Sequence, residues 1–298
     1  MPSIVIRASY GWALIKQVAT ACFADYVPSM GAALAYYTLF SLAPLLLIVI
    51  SVAGLVFGQE AARGEIEAQL TGLMGPQGAA AVQQLLASVR QPSHGALATG
   101  LGLGLLLVAA TTVFSELQTS LDRIWRVPTA ARLAGWFQVV RARLLSFGMI
   151  LAMGFLMIVS LLVSAALAGA QHWWGAVLGD WYFAATVANA LLDLVMVAIM
   201  FALIYKLMPR AEVQWKDVWI GAIFTAALFA IGKLLISLYI GHSSVVSGFG
   251  AAGSLAVILL WVYYSAQIFL IVAEFTWVYA NNFGSRKGLA AKPDPVLA

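Results

Sequence analysis

The chain has 298 residues, of which 63% are hydrophobic and only 9% charged. Soluble domains carry ~25% charged residues, so a soluble enzyme is excluded and an all-α integral membrane protein is expected. The net charge of +4 therefore bears on membrane orientation rather than on nucleic acid, and the single cysteine, Cys22, excludes an intrachain disulfide and a thiolate metal cluster.

Residues 1–29 read as a cytoplasmic amphipathic segment. Trp12, Ile15, Ala19, Cys22 and Tyr26 recur at helical spacing. With Arg7 and Lys16 nearby, they predict a helix lying in the headgroup layer, or one tucked under the bundle. No cleavable signal peptide precedes the first span, which is expected to act as its own insertion signal.

That first span is residues 30–57, without one charged side chain, where ~20 apolar residues suffice to cross the ~30 Å hydrocarbon core. Tyr37, Ser41 and Pro44 follow one another at i, i+4, i+7 and share a helical face. Pro44 predicts a kink that frees a backbone carbonyl. The face is read as packed against protein or lining a polar cavity.

Residues 58–95 are more polar. Gly75 and Pro76 predict a break between two amphipathic helices, hence a helical hairpin outside the membrane that caps the bundle or meets a partner. Five further spans follow, at about 96–115, 144–168, 181–208, 218–240 and 255–279. Gly100 and Gly104 offer a small-xxx-small face. Pro209 stops the fourth span, and Ser254 is a suitable N-cap for the sixth. Residues 281–298 read as a short, disordered cytoplasmic tail.

Orientation follows from Lys and Arg. Arg7 and Lys16 precede the first span, Arg123, Arg126, Arg132, Arg141 and Arg143 follow the second, Lys206, Arg210 and Lys216 follow the fourth, and Arg286, Lys287 and Lys292 close the chain. These thirteen alternate with segments holding only Arg63 and Arg90, so both termini are expected on the cytoplasmic side of the membrane. The two halves show no convincing repeat, so an inverted-repeat transporter is not supported.

Ionisable groups inside spans cost several kcal/mol and call for a partner, a wet cavity or a role. Asp193 and Lys233 lie ~21–23 Å from the cytoplasmic ends of consecutive antiparallel spans, which suggests an ion pair, either structural or part of a substrate or proton site. Asn189 sits one turn from Asp193. Glu274 shares a stripe with Tyr263, Tyr264 and Gln267. Glu116 is expected at a similar depth, where the two carboxylates share a proton, meet a basic partner such as Arg141, or simply pair with loop arginines. His94, His172 and His242 have no metal-binding spacing, and no nucleotide-binding or hydrolase fingerprint is present. No cofactor and no metal are expected.

Several segments carry a family resemblance. They are AALAYYTLFSLAPLLLI at 32–48, the stretch 116–127 ending in Ile124, Trp125, Arg126 and Val127, and YKLMP at 205–209. WIGA at 219–222, SLYI at 237–240 and LLWVYYSAQIFLIVAEF at 259–275 add to it. The chain resembles the YihY/BrkB family of bacterial inner-membrane proteins over roughly residues 10–280. It departs from the family pattern at Asp122, where Asn is usual, and at 249–253, where Tyr-Gly-Ala-Leu-Gly is usual. The family was once labelled ribonuclease BN. That activity is not expected, because phosphodiester hydrolysis wants clustered metal-holding carboxylates or histidines, and the cytoplasmic segments here are short and basic.

The function expected is transport or flippase-like movement of an amphipathic or small solute. Its polar lining would come from Tyr37, Ser41, Pro44, Asn189, Asp193, Lys233, Tyr264, Gln267, Glu274 and Glu116. The alternatives are a non-transporting membrane scaffold and, less favoured, a membrane-bound hydrolase. Expected partners are membrane lipids and a lipid-like or small-molecule substrate, with no specific nucleic acid.

Overall fold

The computed structural model describes residues 2–89, 96–128, 148, 155, 181–242 and 251–287. Among them all regular structure is helical. We number the helices α1 (Pro2–Ala24), α2 (Val27–Phe57), α3 (Gln59–Val89), α4 (Ala96–Ile124), α5 (Trp181–Leu207), α6 (Trp215–His242) and α7 (Ala251–Asn282). Four stretches are long and apolar enough to cross a membrane: Val27–Leu55, Ala190–Leu207, Trp215–Lys233 and Ile258–Asn282. The expected second span lies within α4. The expected third span, 144–168, falls outside the described residues apart from two isolated positions, as do residues 288–298 of the tail.

The helices pack around α7, which touches α1, α2, α3, α4 and α6. Small residues allow this. A Cβ on Gly221 of α6 would run into the Thr276 side chain of α7, and one on Gly31 of α2 would run into Gln267. Bare backbone at these two points lets the neighbouring helices close on α7. Tyr205 then ties three helices together. Its hydroxyl lies 2.8 Å from Thr225 of α6 and donates to the Phe269 carbonyl of α7 at 2.8 Å. Its ring stacks on Phe269 at 4.8 Å. A buried Tyr needs such a partner for its O–H, and here that partner fixes helix register.

One helix packs through a face not singled out above, and another differs from the expectation. In α1 the buried face is Val18, Ala21 and Asp25 at the following elbow. Trp12, Ile15 and Tyr26, from the stripe expected to define the helix, are 72%, 61% and 63% exposed. The helix is apolar on two faces, so periodicity alone picks the more aromatic one, while packing against α7 selects the other.

In α3 the helical backbone runs without interruption across Gly75 and Pro76, where a break is expected. Ile66, Leu70, Ala79 and Val82 nonetheless join one core cluster with Leu46 and Ile50 of α2 and Ile258 of α7. Arg63 and Ala87 line one cavity, yet a straight helix would hold them ~36 Å apart. The rod therefore bends between its halves. An interior proline such as Pro76 removes one i→i−4 hydrogen bond and bends a helix without ending it. The apolar face of α3 is docked on the bundle rather than standing apart from it.

The α6–α7 contact gives a direct test of this packing. Gly221→Leu should lower stability by ~1–3 kcal/mol through overpacking, read as a fall in thermal midpoint in detergent. Gly64→Ala on α3, where nothing lies within reach of a new Cβ, should not lower it, since Ala is the better helix former.

Candidate functional site

Two places on the described chain concentrate polar groups inside an otherwise apolar molecule. The first lies where the α1–α2 elbow, the end of α4 and the last turns of α7 meet. Asp25 at the elbow is 3% exposed, and Glu274 on α7 is fully buried. Arg126, just beyond α4, donates to Asp25 Oδ1 and lies over the Trp277 ring at 5.1 Å. Arg123 lies over Tyr26 at 5.6 Å. The Glu274 carboxyl has Asp25 and Arg126 as its charged neighbours and comes within hydrogen-bonding reach of Asp25. Among the described residues, neither Glu274 oxygen, nor Asp25 Oδ2, has a hydrogen-bond donor.

The backbone here is unusual. Tyr26 and Arg126 have φ of 58° and 54°, a left-handed conformation that costs a non-glycine residue ~1–2 kcal/mol. Two such residues flank one ion pair. The chain reversals that bring Asp25 to Arg126 thus depend on local geometry that neither residue type favours.

Further polar contacts latch the same end. Asp122 Oδ1 accepts the Arg210 backbone N–H at 2.7 Å, and its other oxygen faces the Arg210 side chain. Ser285 donates to Asp217 at 2.5 Å through its hydroxyl, and Arg286 donates to the Glu212 carbonyl at 3.0 Å. Gln267 donates to the Pro28 carbonyl at 3.4 Å, and Asn282 to Gln17 at 2.8 Å. Residues 283–287, expected to belong to a disordered tail, are held instead by these contacts with the start of α6.

The second place is a cavity of about 300 Å³ between α2 and α3. Leu47 and Ile50 of α2 with Ile66 and Leu86 of α3 give it an apolar wall. Arg63, Glu67, Gln59 and Gln83 give it a polar side. Ligand cavities run from ~300 Å³ upward and are mostly apolar with a few orienting polar groups, and this one has that character.

The residues expected to form one polar lining are dispersed. Ser41 and Pro44 are buried within α2, which is helical throughout, and Tyr37 is half-buried. Asn189 is on α5, with its side chain outside the description. Asp193 and Lys233 are both exposed, and no ion pair joins them. The contacts Tyr205–Thr225 and Phe201–Phe229 explain why. They set Asp193 level with position 237 and Lys233 level with 197, so the two charges are offset by one turn, ~6 Å. Tyr264 packs against Gly232, and Gln267 against Gly31. Glu116 is half-buried on α4, and Arg141 lies outside the described residues. Glu274 meets a carboxyl, but from Asp25. Asp25, Arg126, Arg63 and Glu67 were not among the expected site residues. A signal for Asp25 was present: it stands four and seven residues after Ala21 and Val18, on the face of α1 that is buried. No group of three metal-liganding side chains occurs among the described residues.

The family profile described as Virulence factor BrkB matches residues 19–296. The chain belongs to the BrkB family. It is 28% identical over 279 residues to a UPF0761 membrane protein of Pseudoalteromonas translucida, covering 91% of this chain and 86% of that protein. It is 30% identical over 279 residues to one of Pseudomonas paraeruginosa, covering 92% of this chain and 64% of that protein. A third, from Tolumonas auensis, is 25% identical over 257 residues, 85% of this chain and 80% of its own. Against several Pseudomonas aeruginosa relatives the BrkB-family chain spans 58% of their length. No solved structure matches it. These names establish a membrane protein.

Cys22 reports on the first site. Burial, with smaller contributions from the Glu274 and Asp25 carboxyls, pushes its thiol from 9.0 up to about 11. The folded state favours the neutral thiol, so this contribution to stability is fully present below pH 9 and is lost as pH rises through about 11. The thiolate is the reactive form. Maleimide labelling at pH 8 should therefore be ~100-fold slower in the folded protein than in the denatured chain.

The ion pair itself predicts coupled variants. Arg126→Ala should destabilise by ~1–3 kcal/mol, a charged hydrogen bond discounted for the partial exposure of the guanidinium. Adding Asp25→Asn should recover part of that loss, as measured in a double-mutant cycle by thermal unfolding.

Proposed function

We propose that this BrkB-family protein is a transporter or flippase-like protein of the bacterial inner membrane, moving an amphipathic or small solute. The observation that carries the reading is the α2–α3 cavity, with an apolar wall on one side and Arg63, Glu67 and glutamines on the other. A molecule with an alkyl portion and a charged or hydrogen-bonding head satisfies both sides. A purely apolar one would strand Arg63, and a small inorganic ion would leave the wall unfilled.

The distribution of Lys and Arg supports both termini on the cytoplasmic side. The cavity then belongs to the opposite end of the bundle, where α2 finishes and α7 begins, and the Asp25 cluster to the cytoplasmic end. Some ~33 Å of α2 separates them, from Asp25 to Leu47. Pro44, near the cavity, marks a point where the α2 hydrogen-bond ladder lacks a donor and bending is easiest. The reading uses α2 as the element that reports occupancy of one end to the other.

The test uses the full chain in phospholipid vesicles with lysophosphatidylglycerol as the probe amphiphile. Binding should saturate, and Arg63→Ala should weaken it about tenfold, the loss expected of one charge-assisted contact. Protein that binds no amphiphile, while deletion of residues 60–92 strips it of envelope partners, would instead establish a scaffold.

A further inference from the structure

We propose that Asp25 and Glu274 form a carboxyl pair that binds one exchangeable proton, held between Glu274 and Asp25 Oδ2 while Asp25 Oδ1 remains on Arg126. As the coupling site of a transporter it rests on the reading above; as a proton site it rests on its own geometry.

The first argument is charge. Two carboxyl groups face one guanidinium. Among the described residues Cys22 from α1 also faces the pair, and Arg123, on the same side, is engaged over Tyr26. If both carboxyls ionise, one negative charge is left over in a site where Glu274 has no exposure. An uncompensated buried charge is the costliest arrangement available to a protein.

The second argument is hydrogen-bond accounting. Ionised carboxylates only accept. Arg126 serves Asp25 Oδ1, which leaves three carboxyl oxygens with no donor among the described residues. Buried acceptors left without partners lose their hydration and gain nothing in its place. A single proton changes the inventory. Glu274 becomes a donor, and Asp25 Oδ2 becomes its acceptor. The pair then carries one negative charge, matched by Arg126.

The third argument is access. The Arg126 side chain is 41% exposed whereas that of Asp25 is 5% exposed, so water reaches the rim of the site without flooding it. On release, the Glu274 O–H bond breaks and the proton passes to water. On uptake, water returns it to a carboxylate oxygen of the pair. Each release leaves two adjacent negative charges at the elbow, whose left-handed Tyr26 and Arg126 are already held in an unfavoured geometry. Repulsion between Asp25 and Glu274 then acts to open the joint between the α1–α2 elbow and α7.

Difference infrared spectroscopy on the full chain in vesicles tests this without any solute. The wild type should show the carbonyl stretch of a protonated carboxyl at pH 7, fading reversibly as the pH is raised with the protein still folded. Glu274→Gln and Asp25→Asn should each abolish it. Absence of the band at pH 7, persistence in both variants, or its loss in Glu116→Gln instead would overturn the assignment. So would a thermal midpoint that rises with sodium chloride but not choline chloride, in wild type and not in Glu274→Gln, since a metal cation would then hold the site. If the variants fail to fold, the reversible wild-type titration decides alone. Vesicles that show the band yet bind no amphiphile retain the proton site and reject the transport reading.

Discussion

One guanidinium stands against two buried carboxyl groups, and an entire end of the bundle is arranged to make that contact. Asp25 and Arg126 are separated by 101 positions in the chain, and Glu274 is far from both. Where α1 and α4 end, beside this contact, the backbone passes each time through a non-glycine residue at positive φ. Strained backbone persists where surrounding structure over-determines it. Here the surroundings are Trp277 beneath Arg126, the start of α2 hydrogen-bonded to Gln267, and α1 tied to Asn282.

Two helices run the length of the described molecule and belong to both ends of it. At its start α2 follows the Asp25 elbow, and near its finish it walls the cavity. Glu274 of α7 sits at the elbow, while Ile258 and Trp261 pack into the cluster beneath α3. Between the two sites the contacts are apolar and close, set by Tyr205, Phe269, Phe201 and Phe229. A close-packed interior transmits displacement rather than absorbing it. In the proposed reading, a change of shape at the elbow would reach the cavity through these two closely packed helices.

The apolar spans were legible because hydrophobic length is a property of consecutive residues. So was the oddity of Glu274, since a carboxyl inside an apolar run needs no partner to be noticed. What was not legible is pairing. Asp193 and Lys233 lie at equal counted depth, but the aromatic contacts of α5 with α6 shift the register by one turn, and no count along either helix contains that information. Asp25 escaped notice because it closes a helix instead of interrupting one. In α1 the stripe of Trp12, Ile15 and Tyr26 is as apolar as the face that packs, so counting along the helix does not say which of the two meets the bundle. The Gly75–Pro76 signal marks a bend, yet the helix runs on through it, since an interior proline removes one hydrogen bond and kinks a helix without necessarily ending it.

Energetics separates the role of the ionisable cluster from the role of the packing around it. The same end of the bundle already buries Leu121, Ile124, Trp125, Tyr205, Met208 and Val213 in one core cluster. At ~1.5–3 kcal/mol for a fully buried large apolar side chain, that cluster is ample to hold the helices together. Replacing a buried ionic group by apolar residues of similar volume is often neutral or stabilising. Stability therefore gives no reason to place Asp25, Arg126 and Glu274 where more apolar side chains would pack as well. A buried carboxyl that lacks donors in its ionised form and gains a matched partner on protonation has two accessible states of different charge. An apolar residue has one. Access to the second state is what this arrangement supplies beyond cohesion, and it is the physical ground for assigning the cluster to function.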